Sequence, residues 1–204
     1  MEAAEGRNRG KVQKGRALMA NQTSFETEKT TIDGLFKVKF KIFEDNRGSV
    51  MEFYRQSDFA ASGLPSLGER PQANAPMTVK GAIRGIHAEA AHKLVSVASG
   101  RVYAVIVDLR TDSPTAGKWQ GFFLNRGEGL FVSKGLGNSF QSTSDEPSVY
   151  LYYFEEEWRP DMPGKSCNPL DPELAIDWPI KEDSGMIVSE KDKNNPSLQE
   201  ALNS

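Results

Sequence analysis

The chain has 204 residues, 38% of them hydrophobic and 26% charged, with a formal net charge of −3. That length suits one domain, since single domains commonly run from roughly 100 to 250 residues; the mildly negative charge gives no global case for nucleic acid, and no apolar run reaches the roughly 18 residues of a membrane span. The single cysteine, Cys167, cannot close an internal disulfide, which fits a reducing cytoplasm, and no histidine lies near it in sequence to activate it.

Residues 1–30 read as a disordered basic tail. Arg7, Arg9, Lys11, Lys14 and Arg16 have no apolar stretch behind them, so the segment is not a secretory signal. Residues 31–204 read as a single domain. From Leu35 to Phe43 apolar and basic residues alternate, the period of one strand, which could pair at a sheet edge with a second chain. Asp45-Asn46-Arg47-Gly48 predicts a turn, and Val50 to Tyr54 a further strand. Gly63, Pro65, Gly68 and Pro71 mark a loop or short helix over residues 57–71. Lys93–Ala98, Arg101–Leu109, Trp119–Leu124 and Ser148–Glu155 are short runs rich in Val, Leu, Phe and Tyr, with Gly100 and the segments 111–117 and 125–129 between them. In the last run Tyr150 and Tyr152 fall on one face and Tyr153 on the other. Such spacing predicts an all-β sandwich or barrel. From about residue 160 the chain turns Pro-rich and irregular, with a short helix near Leu198–Leu202.

Arg84-Gly85-Ile86-His87, followed by Lys93-Leu94-Val95, carries the strongest chemical signal. His87 is one of only two histidines. Histidine changes charge near neutral pH and serves as a general base. Gly85 lets the backbone pass close to a neighbour, Arg84 can fork onto a phosphate, and Lys93 can offer positive charge to a developing oxyanion. Together these residues point to proton abstraction beside a carbonyl on an anionic substrate. Each also has an ordinary reading: a structural histidine, surface ion pairs of Arg47 and Arg84, core or interface positions for Trp119, Trp158 and Trp178, and a surface position for His92.

The ordered set of matching stretches resembles the dTDP-4-dehydrorhamnose 3,5-epimerase family of the cupin jelly-roll class. These are Asp45-Asn46-Arg47-Gly48 with Glu52, Gln72-Ala73-Asn74, the two segments above, Val107-Asp108-Leu109-Arg110 with Ser113 to Trp119, Asp171-Pro172 with Ile176-Asp177-Trp178-Pro179, and Ser189-Glu190-Lys191-Asp192. The resemblance spans Leu35 to Leu198 and implies a cupin-type jelly roll with a C-terminal helical or irregular extension. It also implies a homodimer that uses no metal or organic cofactor and epimerises a nucleotide-linked 4-keto-6-deoxy sugar at C3, C5 or both. By this resemblance His87 is the base, Asp192 its orienting carboxylate, Lys93 the enolate stabiliser and Tyr152 the acid on the opposite face. Counting back from Arg159-Pro160 picks Tyr152, whereas counting forward from Asn138 reaches Leu151, so the tyrosine register is off by one residue, and Tyr150 is the reserve. Arg47, Glu52, Gln72, Asn74, Arg84, Asn138 and Lys191 match positions that hold the nucleotide diphosphate sugar.

Four residues depart from the family pattern. Asn138 stands in place of a pocket histidine, Glu89 in place of a glutamine, Ser96 in place of an arginine and Pro163 in place of a glutamate. A Glu89 facing inward would favour protonated His87 and weaken it as a base. These changes leave two alternatives: a catalytically impaired sugar-nucleotide-binding cupin, and a metal-dependent cupin enzyme using His87, Glu89 and His92. The second needs His92, five residues from His87, to turn toward it.

Overall fold

A computed structural model describes residues 20–204. Sixteen strands form along the described chain, as β1 (Ala20–Gln22), β2 (Glu26–Lys29), β3 (Leu35–Lys39), β4 (Lys41–Asp45), β5 (Gly48–Glu52), β6 (Gln72–Asn74), β7 (Met77–Thr78), β8 (Ala82–Glu89), β9 (Lys93–Ser99), β10 (Val102–Asp108), β11 (Trp119–Leu124), β12 (Glu128–Val132), β13 (Leu136–Ser142), β14 (Ser148–Phe154), β15 (Gly164–Ser166) and β16 (Ile187–Val188). The α-helices are short: α1 (Gln56–Ser62), α2 (Glu190–Lys193) and α3 (Leu198–Asn203). One sheet runs β2-β3-β12-β9-β14-β6, with β7 also on β14. The facing sheet runs β11-β10-β13-β8-β15, with β16 also on β8, and β1-β4-β5 make a small third sheet. This is the all-β jelly roll expected from the sequence.

Strand alternation sets the layers. Val95 and Val97 of β9, Ala104 and Ile106 of β10, and Leu130 and Val132 of β12 meet between the sheets and are buried. The other face of the β8–β13 sheet is covered by the C-terminal segment, where Leu174, Trp178, Leu198 and Ala201 pack on Ile83, Ile86, Val105 and Val107. Trp119 and Trp178 satisfy their indole N–H groups on the carbonyls of Leu174 and Pro169, at 2.7 and 2.9 Å. The other face of the β9–β14 sheet is covered by α1, through Phe59, and by Leu64 and Leu67.

Four sequence expectations are corrected. Residues 1–19 of the expected tail lie outside the described residues, but β1 and β2 lie within its remainder. β2 is polar, and what orders it is visible only once paired: Glu26 and Glu28 stand opposite Lys39 and Lys37, each pair 3.6 Å apart. The run from Leu35 to Phe43 is two strands in two sheets. The chain breaks at Phe40, whose ring is buried and whose N–H is donated to the Gly127 carbonyl at 2.9 Å. β3 lies between β2 and β12, so it has no free edge for a second chain. The segment 125–129, taken as punctuation, leads directly into β12, and β13 follows it.

One irregularity positions the site. In the β8–β13 ladder His87 faces Asn138 but Arg84 faces Phe140, so Gly85 and Ile86 together oppose Ser139. This bulge reverses side-chain parity, and Arg84, three residues from His87, turns to the same face. Gly85 has φ +116°, and a Cβ there would lie 2.5 Å from the Asn138 carbonyl oxygen and 2.8 Å from Ser139 Cα. Gly85→Ala is therefore expected to lower stability by about 2 kcal/mol or more. An unchanged urea midpoint would contradict this account of the bulge.

Candidate active site

The two sheets separate at one end into a cleft of about 350 Å³, within the range of small-molecule sites. The inner row of β9 shows the transition: Val97 and Val95 are core, and Lys93, next on that face, lines the cleft. β8 contributes Arg84, His87 and Glu89; β14 contributes Tyr152 and Phe154; β13 contributes Asn138 and Phe140. Gln72 and Asn74 enter from β6, Asp192 from α2, and Trp158 from the segment after β14. A hollow of about 360 Å³ between β2–β3 and β11 has no histidine or tyrosine in its lining, and its lysines face glutamates of β2.

His87 Nε2 lies 2.8 Å from Asp192 Oδ1. A carboxylate acceptor places the proton on Nε2 and leaves the lone pair on Nδ1. Asp192 is delivered by the chain around it. β16 pairs with Ala82 and Ile83 of β8, Ser189 then caps α2 by accepting the Asp192 N–H at 3.1 Å, and the Asp192 side chain is buried. Asn195 also donates to Asp192 Oδ1.

Lys93 is buried, donates to the His87 carbonyl at 3.0 Å and forms an ion pair with Glu89. Burial lowers its affinity for a proton below that of an ordinary lysine, and Glu89 opposes that shift. Glu89 does face the cleft, as the sequence allowed, but its charge is met by Lys93. Tyr152 is half-buried, and burial holds its phenol protonated above the usual range, with Arg84 acting in the opposite sense and Glu89 reinforcing the shift. Tyr150, the reserve, is fully buried, stacks on Phe140 at 4.0 Å and donates to Asn138 Oδ1 at 3.1 Å. The cleft therefore holds Tyr152, while Tyr150 belongs to the core behind it.

Gln72 accepts the Trp158 backbone N–H at 2.8 Å and donates to Asn74, holding the Trp158 main chain beside β6. Arg84 donates to Thr78 at 3.0 Å. Three expected binding residues do not line the cleft of this chain. Arg47 is exposed on the β4–β5 hairpin and paired with Asp45 at 2.6 Å, Glu52 pairs with Arg55, and Lys191 is exposed on α2. Two departures lie elsewhere too: Ser96 donates to the Glu128 carbonyl at 2.7 Å, and the Pro163 carbonyl accepts from Ala90. His92 is half-buried on the far side, against Phe131, and accepts the Lys134 N–H, so His87, Glu89 and His92 do not converge on a metal. Burial pushes the Cys167 thiol up to about 12, which leaves it inert as a nucleophile. Phe140 and Phe154 were missed in the sequence; each stands two residues from a chosen polar residue, Asn138 or Tyr152, and the strand period could have found both.

A cupin jelly roll whose open end sets a carboxylate-backed imidazole on one sheet and a phenol on the other is a scaffold for proton transfer. A family model described as dTDP-4-dehydrorhamnose 3,5-epimerase matches residues 29–200. The dTDP-4-dehydrorhamnose 3,5-epimerase of Methanothermobacter thermautotrophicus is 36% identical over 183 residues, 86% of this chain and 96% of that protein. NovW, a 4-keto-6-deoxy sugar epimerase of Streptomyces spheroides, has 32% identity and a TM-score of 0.79 over 92% of this chain and 94% of its own. ChmJ, a 3'-monoepimerase from Streptomyces bikiniensis solved with dTDP-quinovose, has 30% identity and a TM-score of 0.77 over 85% and 88% of the two chains. The chain belongs to the dTDP-4-dehydrorhamnose 3,5-epimerase family and is an isomerase of the epimerase type.

Glu89→Gln removes the charge that opposes burial at Lys93, so Lys93 should lose its proton at lower pH. The alkaline limb of the kcat profile is expected to move down by on the order of one pH unit. A limb that stays in place would remove Lys93 as the group that sets it.

Proposed function

We propose that His87 takes the proton from the carbon beside the C4 ketone of a dTDP-linked 4-keto-6-deoxyhexose, and that Tyr152 returns one to the opposite face. The observation that carries this reading is that the two groups project into one cleft from different sheets, His87 from β8 and Tyr152 from β14. A sugar ring between them meets a base on one face and an acid on the other, which is what inversion requires. Nδ1 accepts the proton, and Asp192 stabilises the resulting imidazolium and keeps the ring oriented. Buried Lys93 supplies positive charge to the enolate oxygen in a medium of low dielectric. Arg84 offers its guanidinium to the diphosphate, Trp158 a half-exposed face to the base, and Gln72 and Asn74 polar contacts between them.

The reading includes a homodimer. Arg47 projects into solvent at a hairpin, with its side chain 83% exposed, where a second copy could bring it against a bound diphosphate. Glu52 at the base of that hairpin and Lys191 beside Asp192 keep their binding roles on the same terms. Among the described residues no helix is long and apolar enough to cross a membrane, and buried, unpaired Cys167 suits the cytoplasm.

In heavy water with dTDP-4-keto-6-deoxyglucose, the C3 and C5 protons should exchange, and NMR shows whether one carbon or both react. His87→Asn should slow exchange at least about hundredfold while dTDP still binds. Binding without exchange in the wild type would favour a non-catalytic binder, and retained exchange in the variant would remove His87 as the base. Sedimentation of the wild type as a monomer at micromolar concentration would contradict the dimer.

A further inference from the structure

Tyr150 is a buried polar side chain that the proposed mechanism leaves without a task. Its ring is fully buried between the sheets, 4.0 Å from Phe140 at an interplanar angle of 24°, and its hydroxyl is 3.1 Å from Asn138 Oδ1. Asn138 stands directly opposite His87 in the β8–β13 ladder, and both line the cleft. A side-chain amide has one acceptor oxygen and two N–H donors. The Tyr150 O–H takes up the oxygen from the core side. Among the described residues Asn138 Nδ2 has no hydrogen-bond partner, and the side chain is only partly buried. The amide therefore turns its donors toward the cleft.

We propose that Tyr150 is a positioning residue: by holding Asn138 Oδ1 it makes Asn138 a fixed, uncharged hydrogen-bond donor to the sugar oxygen next to the carbon that His87 deprotonates. This deepens the epimerase reading and rests on it. The chemistry follows from the geometry. Asn138 sits across the ladder from His87 and lines the same cleft, so a sugar held against His87 presents the oxygens flanking the attacked carbon to the Asn138 side chain. A neutral donor supports an oxygen that gains negative charge without adding to the positive charge of Lys93 and the imidazolium. A freely rotating amide would present its carbonyl part of the time, and a carbonyl repels that same oxygen. The phenol is suited to the task because burial holds it protonated, so it remains a donor.

The test is a double-mutant cycle on the full chain, with Tyr150→Phe, Asn138→Ala and the pair together. Phenylalanine keeps the stack on Phe140 and removes only the O–H. Tyr150→Phe is expected to lower kcat on dTDP-4-keto-6-deoxyglucose roughly tenfold and to leave the affinity for dTDP, which lacks the hexose, unchanged. In the Asn138→Ala background the same change should have no further effect on kcat, because the amide it orients is gone. Asn138→Asp, which offers only acceptors to the cleft when ionised, should cost more than Asn138→Ala. Equal losses from Tyr150→Phe in both backgrounds, or wild-type kcat in Tyr150→Phe, would overturn the positioning role with the epimerase reading intact. A wild type that does not epimerise the sugar would overturn both.

Discussion

The site depends on one extra residue in one strand. A regular β8 would send Arg84 and His87 to opposite faces, one into the cleft and the other into the layer under Trp178. The bulge at Gly85 and Ile86 opposes two residues to Ser139 and brings Arg84, His87 and Glu89 to the same side. The opposite side remains apolar, with Ile83, Ile86 and Ala88 against the C-terminal segment. Ser139 secures the distortion by donating to the Arg84 carbonyl at 2.9 Å, and Ile86 exchanges backbone hydrogen bonds with Cys167 on the other flank. A guanidinium and an imidazole thus share a wall because glycine accepts a backbone that a side chain would not fit.

The same packing that gives the domain its core sets the electrostatics of the cleft. Rows of valine and isoleucine fill the space between the sheets and give way at the open end to Lys93, Tyr152 and Asn138. These groups have low-dielectric protein behind them and solvent in front. Lys93 bears the desolvation cost, and Glu89, two residues past the base on the same face, supplies the opposing charge. The C-terminal segment covers the outer sheet face and then delivers Asp192 to His87, so one stretch of chain both shields the scaffold and orients the imidazole.

Much of this was legible in the sequence. The short Val- and Phe-rich runs announced the sandwich, and the ordered stretches around His87, Lys93 and Asp192 announced the family. Tyr152 was chosen over Tyr150 by its spacing from Arg159, and the structure shows the physical distinction: depth along a single strand face, which periodicity cannot measure. β2 escaped notice because Glu26-Thr27-Glu28-Lys29 is polar, and its stabilising partners, Lys37 and Lys39, become neighbours only after the strands pair. The continuous strand expected from Leu35 to Phe43 failed for a related reason, since alternation persists through Phe40 while the chain changes sheet. Arg47, Glu52 and Lys191 show the limit of matched positions, because a match in sequence order does not bring a side chain to the cleft of its own chain.

The central claim is that proton removal and proton return occur from opposite walls. Tyr152→Phe in heavy water separates the two most directly. The account predicts that deuterium enters the carbon beside the ketone while its configuration is retained, because His87 can still remove and return the proton on its own face. Inversion at an undiminished rate in this variant would contradict the account, since another group would then be supplying the second proton.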